Sequence, residues 1–384
     1  MMYEQIREDI LYIMLYAVVA ALALTASCYL LLRRGNAFAA DITPPQRLRR
    51  WAAAFLASIA LNHGWYMPIF FVDTNYNIRM TDLIGGLLDG MTLFPLAITV
   101  MLTMLQDRRR PLWPAFVMMA PMVGGAAWSV ANNSYEFFPI SCGYGLLLGI
   151  GFITYMVREL RQYGRWLRDN YADLEHKEVW QSFVVLAVML MTFGIYAFTN
   201  QGPVYQYAMQ VIALILIGYL LWRVETLSEL SELGGGLKVE GGGRIPQAQE
   251  LFSLNPPPST LHQKEPSTLD QKLQQHCIYT RLYLQNDLTI SQLAKAIGTN
   301  RYYLSQYFSG KGITYNAYIN DLRIQHFMRL YREAIATQQS FTAQQLAHES
   351  GYRSYSTFGI AFKQRTGQTV TAWMRDLENQ QKSF

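Results

Sequence analysis

The chain has 384 residues, of which 51% are hydrophobic and only 15% are charged. Soluble domains carry about 25% charged residues, so this composition argues against a chain built only from soluble domains. The net charge of +5 is unevenly placed. Residues 267–384 hold 13 Lys and Arg against 7 Asp and Glu, whereas residues 1–266 hold 19 against 20. A basic carboxy-terminal part points to a polyanionic partner.

The sequence offers little support for catalysis. Cys28, Cys142 and Cys277 lie far apart and form no CxxC or Cys/His spacing, which argues against a disulfide framework and a zinc site. Metalloprotease, GxSxG and P-loop signatures are absent, and no apolar window contains the lysine that a retinal Schiff base needs. We therefore expect no enzyme activity, no metal and no cofactor.

The first 222 residues contain seven windows long and apolar enough to cross a bilayer core of about 30 Å as helices. These windows are residues 10–32, 51–72, 83–105, 112–131, 139–157, 181–199 and 204–222. We therefore predict that residues 1–222 form a seven-span transmembrane domain, with the lipid bilayer as partner.

Basic residues in the connectors indicate the orientation of these spans. Thirteen fall on one side: Arg33, Arg34, Arg47, Arg49, Arg50, Arg108, Arg109, Arg110, Arg158, Arg161, Arg165, Arg168 and Lys177. Only Arg7 and Arg79 fall on the other side. Because the basic side faces the cytoplasm, we expect a multi-pass protein of the bacterial inner membrane with its N-terminus outside and its tail inside.

Four polar residues in or beside the spans are candidates for sensing a signal, because polar groups inside a membrane are costly. Asn62 and His63 lie near the middle of the second window, and Asp82 and Asp89 share one face of the third. Two interpretations are open. The residues could bind a small-molecule or envelope signal, or Asn62 and His63 could bond to neighbouring helices while Asp82 lies among the headgroups.

Residues 223–266 form the predicted connector. The stretch VETLSELSEL repeats apolar residues every third position, which predicts that the last span continues as a short amphipathic helix, either in a coiled contact or frayed. The Gly-rich and Pro-rich stretch that follows predicts a flexible tether. Proteolysis in this tether is a further route by which the tail could act, since exposed flexible segments are readily cleaved.

The tail, residues 267–384, has the pattern of soluble amphipathic helices. A first pair of short helices is predicted from cap, turn and anchor residues at Thr289, Leu293, Ala294, Gly298, Asn300, Leu304 and Phe308. The plan recurs about fifty residues later, at Leu346, Ala347, Gly351, Ser354, Phe358 and Phe362, and a long helix joins the two pairs. This pattern predicts two helix-turn-helix units on one helical strut.

At these residues the tail resembles the AraC/XylS-type DNA-binding domain. The resemblance covers just over a quarter of the chain and rests on Gly312, Thr314, Tyr315, Tyr318, Arg323, Leu346, Ala347, Gly351, Tyr352, Ser354, Phe358, Phe362, Lys363 and Gly367. The chain departs from the family pattern at Gln306, Phe327, Ile360 and Val370. The resemblance implies that the tail is helical and that its partner is promoter DNA. With the seven-helix bundle before it, the whole chain is expected to have an all-α fold.

In that family the second helix of each unit enters a major groove, so the two units would read consecutive grooves. The implied DNA-binding residues are Arg301, Tyr302, Ser305 and Gln306 in the first unit and Arg353, Ser354, Tyr355, Ser356, Lys363 and Arg365 in the second. Arg301 suits guanine and Gln306 suits adenine, whereas Lys363 and Arg365 suit phosphates. For each residue alone, a solvated helix face is the competing interpretation.

We therefore expect a membrane-bound transcription regulator, a one-component signalling protein that acts as a homodimer. The alternative is a transporter or channel with a regulatory cytoplasmic tail. Against that alternative, the spans show no clear inverted repeat and carry few intramembrane charges.

Overall fold

The computed structural model describes residues 8–33, 35–40, 42–71, 74–134, 136–185, 188, 203–230, 266–337 and 340–382. The chain divides into two compact units: Met1–Gly164 with His176–Ser231, and Arg165–Glu175 with Glu232–Phe384. Over the described ranges the regular structure is helical, and no strand is formed. This agrees with the all-α prediction.

The first unit is built from apolar helices. In chain order they are α1 (Ile10–Leu32), α2 (Gln46–Tyr66), α3 (Asn75–Met91), α4 (Leu93–Met104), α5 (Trp113–Val117), α6 (Ala120–Asn132), α7 (Phe138–Asn170) and α8 (Pro203–Thr226). α1 and α2 pack through small buried residues, including Ala23, Ala26, Ala52 and Ala53. Small side chains allow such close approach, and the Ser27 hydroxyl donates a hydrogen bond to the Ala53 carbonyl at 2.8 Å.

Within the part of the chain that the structure describes, five helical stretches are long and apolar enough to cross a membrane: Ile10–Leu32, Tyr76–Met104, Trp113–Asn132, Pro139–Asn170 and Val204–Thr226. They correspond to the first, third, fourth, fifth and seventh predicted windows. The second window falls on α2, which is helical but carries arginines in its first turns. Most of the sixth window, residues 181–199, lies outside the described residues.

Two helix ends differ from the predictions. α7 runs on to Asn170, so Arg158, Arg161, Arg165 and Arg168 lie on a helix rather than in an irregular connector. Arginine, leucine and glutamine favour helix, and these residues dominate the sequence there.

α8 ends at Thr226, so the predicted helical continuation through Leu227 and Leu230 is wrong. The backbone beyond Thr226 bonds to other connectors instead: the Glu229 amide donates to the Thr43 carbonyl, and the Leu230 amide donates to the Gln106 side chain. These tertiary hydrogen bonds replace the helical ones. The predicted tether lies almost entirely outside the described residues.

Several of the basic residues that indicated orientation form buried ion pairs. Arg110 contacts Glu159 at 2.6 Å and Asp107 at 2.8 Å, and Arg49 contacts Glu225 at 3.1 Å. Opposite charges this close offset part of each other's cost of leaving water.

The second unit is helical as well. Its helices are α9 (Pro266–Leu273), which continues as a π-helical turn (Gln274–Tyr279), then α10 (Ile290–Ala296), α11 (Arg301–Gly310), α12 (Tyr315–Ala336), α13 (Ala343–Glu349), α14 (Tyr355–Thr366) and α15 (Val370–Lys382). The pairs α10–α11 and α13–α14 lie at the positions of the two predicted helix pairs.

Each helix from α10 to α14 begins with a side-chain cap. The capping residues, whose side-chain oxygens accept a backbone N–H of the first turn, are Thr289, Asn300, Thr314, Thr342 and Ser354. The turns use glycine where φ is positive, at +66° for Gly298 and +88° for Gly351. Capping and turn residues therefore place these helices as the sequence predicts.

Two hydrophobic clusters form the core of this unit, and α12 contributes to both. Tyr315 and Ile319 join the first cluster, with α10 and α11, whereas Phe327 and Tyr331 join the second, with α13 and α14. The helix therefore acts as a common strut for the two pairs.

Arg323 lies between the two clusters on α12 and is only 1% exposed. Its guanidinium donates to the carbonyls of Tyr283, Gln285 and Asn286 at 2.7–2.9 Å. It also lies 5.5 Å from the centroid of the Tyr352 ring. The side chain thus joins the loop before the first helix pair to the turn of the second.

Candidate nucleic-acid interface

The second helix of each pair has one buried face and one outward face. Leu304 and Phe308 of α11 and Phe358 and Phe362 of α14 are fully or almost fully buried, at no more than 2% exposure. Because a helix has 3.6 residues per turn, burying these positions turns the residues between them outward. The outward faces are where the predicted DNA-binding residues lie.

On α11 the outward face is aromatic and polar. Tyr302 is 64% exposed, and its hydroxyl accepts a hydrogen bond of 2.7 Å from the exposed Gln306 amide one turn later. Arg301 and Ser305 are half-buried. Tyr303, which the sequence analysis did not single out, is 53% exposed and packs its ring edge-on against Tyr302.

On α14 the predicted residues have different roles. Tyr355 and Ser356 are exposed at the start of the helix. The Ser354 hydroxyl accepts the Thr357 amide at 3.3 Å, so its primary role is to cap α14. Arg353 lies 3.7 Å from the Asp287 carboxylate. The first turn of α14 thus presents hydroxyl groups and a phenol to the outside.

The two predicted phosphate ligands lie towards the C-terminal end of α14. Lys363 and Arg365 are both exposed. Arg365 pairs with Asp321 of α12, and that partner raises the pKa of the guanidinium. Exposed ion pairs contribute at most about 1 kcal/mol, so a phosphate could replace Asp321 at little cost.

Sequence reasoning missed two further outward residues of α14. Ile360 is 62% exposed, although it was noted only as a departure from the family pattern. The Thr357 hydroxyl donates to the Glu175 carboxylate at 3.0 Å. Helical periodicity could have identified Ile360, but the Thr357 contact joins residues too distant in sequence for any local pattern.

The four candidate sensing residues lie in the first unit. The Asn62 amide donates to both Asp89 carboxylate oxygens, at 2.8 and 3.0 Å, and the Trp65 indole and Tyr66 hydroxyl donate to the same carboxylate at 3.3 and 3.2 Å. A Cβ at Gly85 would overlap the Tyr66 ring at 2.3 Å, so glycine is required for this arrangement.

His63 is buried and bonds elsewhere, through Nδ1 to the Ile59 carbonyl at 2.8 Å and through Nε2 to the Gln210 side chain at 3.0 Å. Asp82 is half-buried, two turns before Asp89 on α3. The structure thus brings Asn62 and Asp89 together, and Asn62 and His63 bond to neighbouring helices. A signal-binding role for these residues stays a prediction.

Known proteins resemble the tail of this chain. Residues 293–376 match the family model described as a helix-turn-helix domain. Relatives include uncharacterised HTH-type transcriptional regulators of Staphylococcus aureus strains COL, MSSA476 and MRSA252, each 29% identical over 131 residues. That region is 33% of this chain and spans only 17% of the length of each relative. No solved structure matches the chain significantly. The tail of this protein therefore carries a helix-turn-helix domain, at residues 293–376.

Proposed function

We propose that the protein is a membrane-bound transcription regulator whose AraC/XylS-type tail binds promoter DNA through two helix-turn-helix units. The observation that carries this proposal is the repeated helix pair: α10–α11 and α13–α14 share caps, turn glycines and buried anchors, and both pack on α12. The match to a helix-turn-helix domain supports it. Two such units on one strut suit two consecutive major grooves.

The apolar helices support the membrane half of the proposal. Five stretches are long and apolar enough to span a bilayer, and the basic connectors favour a cytoplasmic tail. That compartment is where promoter DNA lies. In this proposal the predicted transmembrane domain, residues 1–222, anchors the regulator and responds to a small-molecule or envelope signal, and the protein acts as a homodimer.

The proposed roles on DNA divide between the two outward faces. Arg301 and Gln306 of α11, with Tyr302 and Ser305 beside them, read bases in one groove. Tyr355 and Ser356 read bases in the next, Arg353 and Ser354 hold the first turn of α14 against the DNA backbone, and Lys363 and Arg365 contact phosphates. Base contacts carry sequence preference, whereas phosphate contacts carry affinity that falls with salt.

The test compares three single variants of the full chain in detergent, with duplex DNA from upstream of its own coding sequence. Arg301→Ala should relax base preference at one position by roughly 1–3 kcal/mol. Lys363→Ala should weaken binding to all sequences alike and reduce the salt slope by about 1. Lys272→Ala is the control, because this exposed lysine of α9 lies outside both helix pairs.

Binding is measured by fluorescence anisotropy over a series of salt concentrations and a set of single-base variants of the duplex. Equal losses on all sequences for Arg301→Ala and Lys363→Ala would remove the assignment of roles. Absence of any salt-dependent binding by the unaltered chain and by every variant would contradict the proposal itself.

A further inference from the structure

The short segment Arg165–Glu175 belongs to the same compact unit as the tail, although it ends about ninety residues before the tail begins. Its backbone forms hydrogen bonds with the backbone of the tail. The Ala172 amide donates to the Leu288 carbonyl at 3.1 Å, and Tyr171 forms an antiparallel bridge with Thr289. We call Arg165–Glu175 the docking segment.

A side chain of the tail also forms hydrogen bonds with the docking segment. The Asn316 amide, in the first turn of α12, donates to the carbonyls of Tyr171 and Ala172 at 3.2 and 2.7 Å. Ala172 is 2% exposed and belongs to the first hydrophobic cluster, and Tyr171 is 6% exposed. The segment is therefore seated by both backbone hydrogen bonds and apolar burial.

Acidic residues of the docking segment point to the second helix pair. The Glu175 carboxylate accepts the Thr357 hydroxyl at 3.0 Å in the first turn of α14. Burial lowers the pKa of the Arg323 guanidinium, and the charges of Tyr352 and of Asp173 in the docking segment oppose that shift. The first turn of a helix favours anions, and Glu175 places one there.

The docking segment also reaches α11. Burial raises the pKa of the Tyr171 phenol, and the positive charge of Arg301 on α11 opposes the rise. Asp169 and Ser305 line one cavity of about 290 Å³. The segment thus lies beside both α11 and α14, next to residues that the proposed function assigns to DNA.

We propose that the docking segment competes with DNA at Arg301 and Ser305 of α11 and at the first turn of α14, so that release of Arg165–Glu175 strengthens DNA binding by the tail. This inference rests on the proposed function. It assigns the tail a second partner, a segment of the same chain that presents the carboxylates of Asp169, Asp173 and Glu175. Glu175 occupies the first turn of α14, where a DNA phosphate would otherwise lie.

Hydrogen bonds and apolar burial hold the docking segment, and such non-covalent contacts form and break reversibly. The Ala172 amide and the Asn316 side chain bond to the backbone across this contact, Glu175 bonds to Thr357, and Tyr171 and Ala172 are buried. A change at the membrane that pulls residues 165–170 along the axis of α7 would strain these contacts first. The apparent affinity for DNA then equals the intrinsic affinity reduced by the docked fraction.

The experiment uses the full chain in lipid nanodiscs and a fluorescent duplex from upstream of its own coding sequence. Ala172→Leu removes the fit of the small side chain without adding charge, and Glu175→Gln removes only the charge. Glu178→Gln is the matched control, because this carboxylate lies three residues beyond the segment and contacts Trp180. We expect Ala172→Leu to bind the duplex about tenfold more tightly, Glu175→Gln to lie between it and wild type, and Glu178→Gln to equal wild type.

Hydrogen exchange gives an independent readout in the unaltered protein. Saturating duplex should speed exchange of the Ala172 amide, which bonds to Leu288, while amides within α12 stay protected. Unchanged or slower exchange at Ala172, or equal affinities for wild type and both segment variants, would overturn the competition and leave the proposed function standing. Failure of wild type and every variant to bind the duplex would overturn the proposed function, and the competition with it.

Discussion

His326 shows how a single residue of α12 combines burial with a fixed hydrogen-bonding role. Its Nδ1 lies 2.9 Å from an Arg329 nitrogen and 3.2 Å from the Tyr283 hydroxyl. Arginine can only donate, so Nδ1 accepts and the ring is neutral. Burial lowers the pKa of His326, and the charges of Arg329 and Arg281 lower it further.

This arrangement predicts that mild acid weakens the tail. An unfolded His titrates near pH 6.5. Because the folded pKa is lower, the unfolded state binds more protons as the pH falls below about 6.5, and the free energy of unfolding decreases. The measurement is urea unfolding of the full chain in detergent at about pH 7.5 and at about pH 5.5. Hydrogen exchange of the α12 amides monitors the unfolding.

His326→Gln is the control for this prediction, since glutamine accepts from Arg329 without titrating. We expect the pH dependence of the variant to be flatter than that of wild type. Identical slopes for the two proteins would assign the acid sensitivity to other groups.

At the scale of an element, α12 joins two helix pairs because its N-terminal half belongs to the first cluster and its C-terminal half to the second. Phe327 stands where the resembled family has a small residue. In this structure it is fully buried, with its ring centroid 4.4 Å from that of Phe358 and 5.9 Å from that of Phe362. The second cluster is thus built around a residue that the family pattern marked as a departure.

We predict that Phe327→Ala destabilises the second cluster by roughly 3–5 kcal/mol, because a buried ring is lost and a cavity remains. Ile360→Ala is the matched control, because it also truncates a large apolar side chain but at a position that is 62% exposed. Its effect should stay within about 0.5 kcal/mol. The measurement is the hydrogen-exchange protection of the α14 amides in both variants. Equal protection in Phe327→Ala and Ile360→Ala would contradict the central position of Phe327.

At the scale of the whole molecule, charge and hydropathy divide the chain into parts with different surroundings. The apolar helices lie in residues 10–226, and the excess of positive charge lies in the tail. Such a division is expected of a protein anchored in one medium and acting in another.

The proposed orientation predicts the activity of alkaline phosphatase fusions, since that enzyme folds only outside the cytoplasm. A fusion after Glu136, between the fourth and fifth predicted windows, should be active. Matched fusions after Gln106 and after Lys382 should be inactive at equal expression. The reverse pattern would overturn the orientation and remove the tail from the compartment of the DNA.

The predictions from local pattern were confirmed where helix ends depend on neighbouring residues. Thr289, Asn300 and Ser354 cap the helices that they were expected to cap, and Phe308 and Phe358 are buried anchors. A cap bonds to an amide three residues away, and an apolar stripe repeats every three or four residues. Both signals are complete within a few turns of sequence.

Contacts between residues that are far apart in sequence could not be predicted from local patterns. The end of α8 depends on hydrogen bonds to Thr43 and Gln106, and the role of Arg323 depends on carbonyls about forty residues away. The hydrogen bonds of Asn62 and Tyr66 to Asp89 join residues more than twenty positions apart, so no local pattern predicted them.

Composition, apolar windows and helix caps thus defined the membrane-like part, the basic tail and the helices within it, because those signals are local or additive along the chain. Tertiary structure alone decided that Ala172 and Glu175 lie against the tail and that Arg323 bonds to the carbonyls of Tyr283, Gln285 and Asn286. Such choices depend on which surfaces meet when the chain folds, and one sequence records only the residues that could take part.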